Sequence, residues 1–130
     1  HRFKVYHDES VDPYGYHFNK GKEGGFVHSG DSGPCELLYE EIAATTMAIL
    51  EMGIPEWVAS DPHHKPSDVD ALAKATPGVE FIITHSFIDT PGSGWEPTVT
   101  DTYPIHPSNV HHAEDGLRMN RHGNSWRINL

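Results

Sequence analysis

Three apolar segments of the chain run into a residue that can do chemistry. FKVYHDES, from Phe3 to Ser10, alternates apolar and polar side chains and reaches Asp8. WVASDP starts with four strand-forming residues, Trp57 to Ser60, and stops on Asp61 with Pro62 behind it. VEFIIT, from Val79 to Thr84, ends on His85. If the first two strands are parallel neighbours, both aspartates emerge at one edge of a sheet, where α/β folds place their chemistry. Carboxylates gathered there repel one another, and a divalent cation removes the conflict. An oxygen-only donor set selects a hard ion, so the expected metal is Mg²⁺ or Mn²⁺.

The elements that must hold these residues can be read from periodicity and turn chemistry. Strand patterns occur at 3–7, 14–18 and 26–29, and KGKEGG, from Lys20 to Gly25, is the turn between the second and third. Pro34 suits the first turn of a helix that the pattern carries to about Met52, with Gly53 as its stop. Leu37, Leu38, Ile42, Thr45, Ala48, Ile49 and Met52 fall on one stripe of it, and Glu41 is the only charge in that stripe. Glu36, Glu40 and Glu51 point away, toward solvent. Ser67 with Asp70 predicts a capped second helix to about Ala75. From Phe87 to Asn109 the chain has no periodicity and reads as a long loop. HHAEDGLRM, from His111, predicts a last short helix. The order β-β-β-α-β-α-β-loop-α implies one α/β domain over residues 1–130, a mixed five-stranded sheet flanked by helices.

Composition narrows the function. There are 9 basic against 19 acidic residues, a net charge of -10, which is unfavourable for phosphate backbones unless a metal offsets it locally. Hydrophobic residues make up 36% and the mean hydropathy is -0.54, enough for one modest core. Cys35 is the only cysteine, so no internal disulfide forms, which suits a reducing, cytoplasmic setting. No apolar run approaches the roughly 18 residues of a membrane span.

Taken together, FKVYHDES, the helix segment EIAATTMAIL from Glu41, WVASDP, VEFIITHS and HHAEDGL resemble the elements of the ribonuclease H fold. That resemblance implies four metal-binding acids, Asp8, Glu41, Asp61 and Asp115, with His85 as proton shuttle. It implies two-metal hydrolysis of RNA, with RNA or an RNA–DNA hybrid as the partner. The sequence departs from the family's pattern at Asp8-Glu9 and Asp61-Pro62, and it has no basic substrate-handling helix.

Plainer readings compete at each position. Asp8 and Asp61 can simply end strands. Glu41 can pair with a Lys or Arg inside the core. Asp115 and Glu114 can be helix-surface acids, His63 and His64 an exposed loop, and Cys35 a helix-start residue. VHHAEDGLRMNRHGN, with Asn120 and Asn124, offers an HNH-like nuclease motif, and His106, His111 and His112 a transition-metal site. A non-catalytic alternative is an acidic binding or inhibitor domain, whose charge would mimic nucleic acid.

Overall fold

The computed structural model describes residues 1–59, 62–87 and 107–129. The elements run β1 (Arg2–Lys4), β2 (Tyr14–Phe18), β3 (Phe26–His28), α1 (Glu36–Ala43), β4 (Met47–Glu51), α2 (Pro66–Ala75), β5 (Glu80–Thr84), β6 (Val110–His112), β7 (Arg118–His122) and β8 (Ser125–Asn129). The first six strands form one mixed sheet in the order β1-β2-β3-β4-β5-β6, and β7 and β8 form a separate hairpin. β1, β2 and β3 meander antiparallel, as their turn residues predict. From β3 to β6 the pairing is parallel. Parallel neighbours need crossovers, which α1 and α2 supply.

The α/β class stands, but the five-stranded sheet becomes six strands plus a hairpin. The expected long helix splits in two. α1 ends at Ala43, with Ala44 N–H on Glu41 O and Thr45 N–H on Ile42 O closing its last turn. MAILE then forms β4, flanked by β3 and β5. Its first four residues are a short apolar run, the pattern that periodicity cannot assign, because a strand covered on both sides buries consecutive residues just as a core helix does. Leu37, placed on the buried stripe by the longer helix, is 41% exposed. The expected strand at 57–60 is not seen over its described residues: 57–59 have no regular structure and Trp57 is exposed, while Ser60 lies outside the described residues. The expected last helix is β6 instead, followed by a turn into β7.

The core lies between one sheet face and the two helices. Val27, Ala48 and Phe81 are register partners, as are Leu50 and Ile83, so they share a face. Leu38 and Ile42 of α1, and Val69, Leu72 and Ala73 of α2, pack into the same cluster. Burying a side chain the size of Phe81 contributes about 2–3 kcal/mol. In β2, Gly15 leaves room for the ring of Phe3; a Cβ there would lie 2.6 Å from its Cζ. α2 starts with Pro66 at its first position, and Asp68, rather than the expected Asp70, accepts the N–H of Lys65. No helix among the described residues is long and apolar enough to cross a membrane.

One polar side chain joins three elements at the far end of α2. The buried Asn109 amide donates to the carbonyls of Ala73, Thr76 and Val79 at 3.1, 3.3 and 2.9 Å. Ala73 O and Thr76 O also accept the N–H groups of Thr76 and Val79, so the amide adds a second donor at the end of the helix. Asn109→Asp would put a carboxylate against three carbonyl oxygens. We expect urea denaturation to show a loss of at least about 2 kcal/mol, with Asn109→Ala losing less.

Candidate functional site

The carboxyl ends of β3, β4 and β5 bring together residues that lie far apart in the chain. After β3, the Ser29-Gly30-Asp31-Ser32 loop turns back. Gly30 takes a φ of 61°, and its N–H donates to His28 Nδ1. Gly33 N–H donates to Tyr6 O, which ties this loop to the segment carrying His7. β4 ends on Glu51. The segment before α2 supplies His63 and His64, and β5 ends one residue before His85.

Glu51 is the hub. It is 1% exposed, and its two oxygens accept four hydrogen bonds. Oε1 takes Ser32 N–H at 3.0 Å and His63 Nδ1 at 2.7 Å. Oε2 takes Gly53 N–H at 2.7 Å and His64 N–H at 3.3 Å. Burial pushes its pKa up to about 7, against the three backbone N–H groups that favour the ionised form. His63 donates from Nδ1, so its Nε2 is left as a lone-pair donor; this is the arrangement by which a carboxylate sets the tautomer of a ligating imidazole.

His64 is locked differently. It is wholly buried, donates from Nδ1 to Ser32 O at 2.6 Å, and accepts from Tyr39 Oη at Nε2, 3.0 Å away. Both ring nitrogens are used and the ring is neutral. Burial pushes its pKa down to about 4 and pushes the Tyr39 hydroxyl up.

The imidazoles of His7, His63 and His85 form a row. Ring centroids are 4.9 Å apart between His7 and His63, and 5.7 Å between His63 and His85. His7 Nδ1 donates to Pro62 O at 3.0 Å, which frees its Nε2. His85 adopts a left-handed φ of 46°, unusual for a residue with a side chain and common at functional sites. Its Nε2 lies 3.7 Å from Asp31 Oδ1, and both side chains are about half exposed. That separation is long for a hydrogen bond and within the span of two donors each about 2.0–2.2 Å from one ion. Imidazole nitrogen with one carboxylate is the donor chemistry of zinc and its borderline neighbours rather than of Mg²⁺. Among the described residues no three such side chains are grouped closely enough to enclose an ion, so the donor types fit and the close pair is Asp31 with His85.

The expected acids fall elsewhere. Glu41 is buried and Glu40 exposed, as the stripe predicts, but Glu41's oxygens are taken by Lys20 Nζ and His17 Nδ1, each at 2.6 Å, with His1 Nε2 at 3.3 Å. Burial opposes its ionisation, yet Lys20 and His17 outweigh that and hold its pKa low. Asp8 is exposed and accepts Ser10 N–H in a local turn, which lowers its pKa. Asp115 is exposed in the turn before β7. Asp61 and His106 lie outside the described residues. His111 pairs with Glu80 at 2.7 Å, and the tail bearing Asn120 and Asn124 is a β-hairpin. Among the described residues, His85 alone of the expected site residues stands in the histidine row. Asp31, Glu51, His63 and His7 were missed. GDSG after an apolar strand reads as a helix start, Glu51 was assigned to solvent, and the His63-His64 pair to an exposed loop.

His64 and Glu51 give opposite pH dependences. His64's pKa is depressed from 6.5, so its contribution is present above that pH and is lost as pH falls toward 4. Glu51's pKa is raised from 4.5, so its contribution is full below 4.5 and is lost as pH rises through 7. Glu51→Gln removes the second slope and leaves the first. Its stability should therefore fall on acidification from pH 7 to 5 more steeply than that of the wild type, by up to about 1.4 kcal/mol per pH unit. Parallel urea-denaturation profiles would show that Glu51 stays ionised throughout.

No family model and no curated protein matches the chain. Solved structures do. The metallo-beta-lactamase fold protein YhfI from Bacillus subtilis aligns over 98% of this chain and 48% of its own, with TM-score 0.59 and 14% identity. The isothiocyanate hydrolase from Delia radicum gut bacteria aligns over 96% and 54%, with TM-score 0.64 and 12% identity. A diphosphatase from the PhnP family aligns over 95% and 43%, with TM-score 0.59 and 18% identity. The chain thus spans about half the length of these structures. This likeness overturns the ribonuclease H resemblance, and with it the two-metal cleavage of RNA or RNA–DNA hybrids. The physical ground is the break after Ala43 and the lack of regular structure at 57–59, which remove the long helix and most of the strand that the resemblance needed. Over about half the length of those proteins, the chain has the metallo-beta-lactamase fold.

Proposed function

We propose that this chain carries part of the active site of a metal-dependent hydrolase, with Asp31 and His85 as metal ligands and His63 or His7 beside them. The observation that carries this reading is the 3.7 Å approach of His85 Nε2 to Asp31 Oδ1 at the carboxyl edge of the parallel strands. The fold supports it, since two of the similar structures are an isothiocyanate hydrolase and a diphosphatase. A divalent ion, when bound, supplies Lewis acidity and activates water near neutral pH. The chain's own residues do the rest. Glu51 orients His63 through Nδ1, so that Nε2 faces away from the carboxylate. His64, neutral and bonded at both nitrogens, fixes the loop that presents His63. Asp31 and His85, half exposed, leave one side of the site open to substrate or to a further ligand.

His85→Asn tests the assignment, because asparagine tolerates the left-handed backbone while the imidazole is lost. Calorimetric titration with Zn²⁺ should show binding that His85→Asn or Asp31→Asn weakens at least tenfold. His111→Ala, on β6, should leave it unchanged. Zn²⁺-stimulated hydrolysis of a chromogenic ester or aryl phosphate should fall with binding. A wild-type chain that binds no divalent ion, or ion binding indifferent to His85 and Asp31, would contradict the proposal.

A further inference from the structure

The opposite edge of the sheet holds a second constellation. At the amino ends of β3 and β4 lies a cleft of about 480 Å³. Its walls come from the β2–β3 turn, the α1–β4 connection and the β7–β8 hairpin, and they include Lys22, Gly24, Thr45, Thr46, Arg121 and Asn124. None of these belongs to the histidine row, which sits at the carboxyl ends of the same strands.

Three features make this cleft receptive to an anion. Gly21, Gly24 and Gly123 line it with φ of 75°, 77° and 63°, so the turns present bare backbone. Among the described residues, the N–H groups of Glu23 and Gly24 have no acceptor, while Lys22 and Gly25 close the turn with theirs. Arg121 lies flat against Gly24, where a Cβ would stand 3.4 Å from its Cδ. One of its nitrogens, Nη1, meets Glu23 at 2.9 Å, which leaves most of its five donors unspent. Lys22 has no ion-pair partner among the described residues.

The surroundings sharpen the point. A chain of net charge -10 has no general attraction for anions, so any pull must be local: Lys22 and Arg121 line the cleft against one carboxylate, Glu23, which engages a single Arg121 nitrogen. His17 stands at the wall with Nδ1 on Glu41, and nothing among the described residues pairs with its Nε2. The hairpin that closes the cleft is pinned by Trp126 Nε1 to Thr46 Oγ1 at 3.0 Å, which holds Arg121 over the turn. The volume exceeds what a bare phosphate needs and falls in the range of small-molecule sites.

We infer that this cleft binds a small organic phosphate. Arg121 and Lys22 meet the phosphate oxygens as fork and point charge, with the turn N–H groups behind them. Thr45, Thr46 and Asn124 face the hydroxylated body of the ligand. The site is independent of the proposed metal chemistry.

Isothermal titration of the chain with glucose 6-phosphate, inorganic phosphate and glucose tests it. The sugar phosphate should bind at sub-millimolar concentration, inorganic phosphate more weakly, and glucose not at all. Arg121→Ala and Lys22→Ala, both at exposed positions, should each weaken the sugar phosphate at least tenfold, with Arg121→Lys between Ala and wild type. His85→Asn should leave binding unchanged. No heat with the sugar phosphate at millimolar concentration overturns the inference, as does equal binding of glucose. Binding that survives both alanine variants, or is lost in His85→Asn, assigns the anion elsewhere and also overturns it.

Discussion

A carboxylate taken out of water has to be given hydrogen bonds, and around Glu51 that need organises one whole end of the molecule. Its four partners come from the loop after β3, the end of β4 and the segment before α2. No single loop could satisfy it. The Glu51 side chain therefore fixes where Ser32, Gly53, His63 and His64 stand relative to one another, and Asp31 is carried along beside Ser32. A charge at this depth is costly unless fully bonded. The strand end consequently has one arrangement of loops that satisfies it, and that arrangement presents the histidine row.

The same logic appears twice more, with different consequences. Glu41 is buried on α1 and satisfied by Lys20, His17 and His1, which ties the helix to the β1–β2 side of the sheet. Asn109 is buried between α2 and β6 and satisfied by three carbonyls, which ties the C-terminus of α2 to the sheet's other side. Three buried polar groups thus fasten the two helices and the loops, while the apolar cluster between them supplies the bulk of the burial. The group at the carboxyl ends of the parallel strands stands beside the histidine row and Asp31.

The sheet's two edges carry different chemistry for a topological reason. Parallel strands put all their carboxyl ends on one side, where loops can bring separate ligands to a single point. Their amino ends lie opposite, where the hairpin turns and the β7–β8 ribbon meet and glycine leaves backbone open. His7, His63, His85, Asp31 and Glu51 gather at the first edge. Lys22 and Arg121, uncommon charges in an acidic chain, gather at the second.

What the sequence determined by itself is local. The meander of β1 to β3, the second helix, the apolar strand ending before His85, and the burial of Glu41 rather than Glu40 all follow from periodicity and turn residues within a few positions. Whether MAILE is helix or strand is not a local question. Met47 to Leu50 are apolar on every side, and the segment becomes a strand because β3 and β5 pair with both of its edges. That one decision ends α1 at Ala43, turns Glu51 from a solvent-facing helix residue into the buried end of a strand, and leaves 57–59 outside the sheet. Asp31, His63 and His7 stand 24 to 56 residues apart along the chain. No spacing rule joins residues so separated, because their proximity comes from parallel register and from the bonds that a buried carboxylate demands.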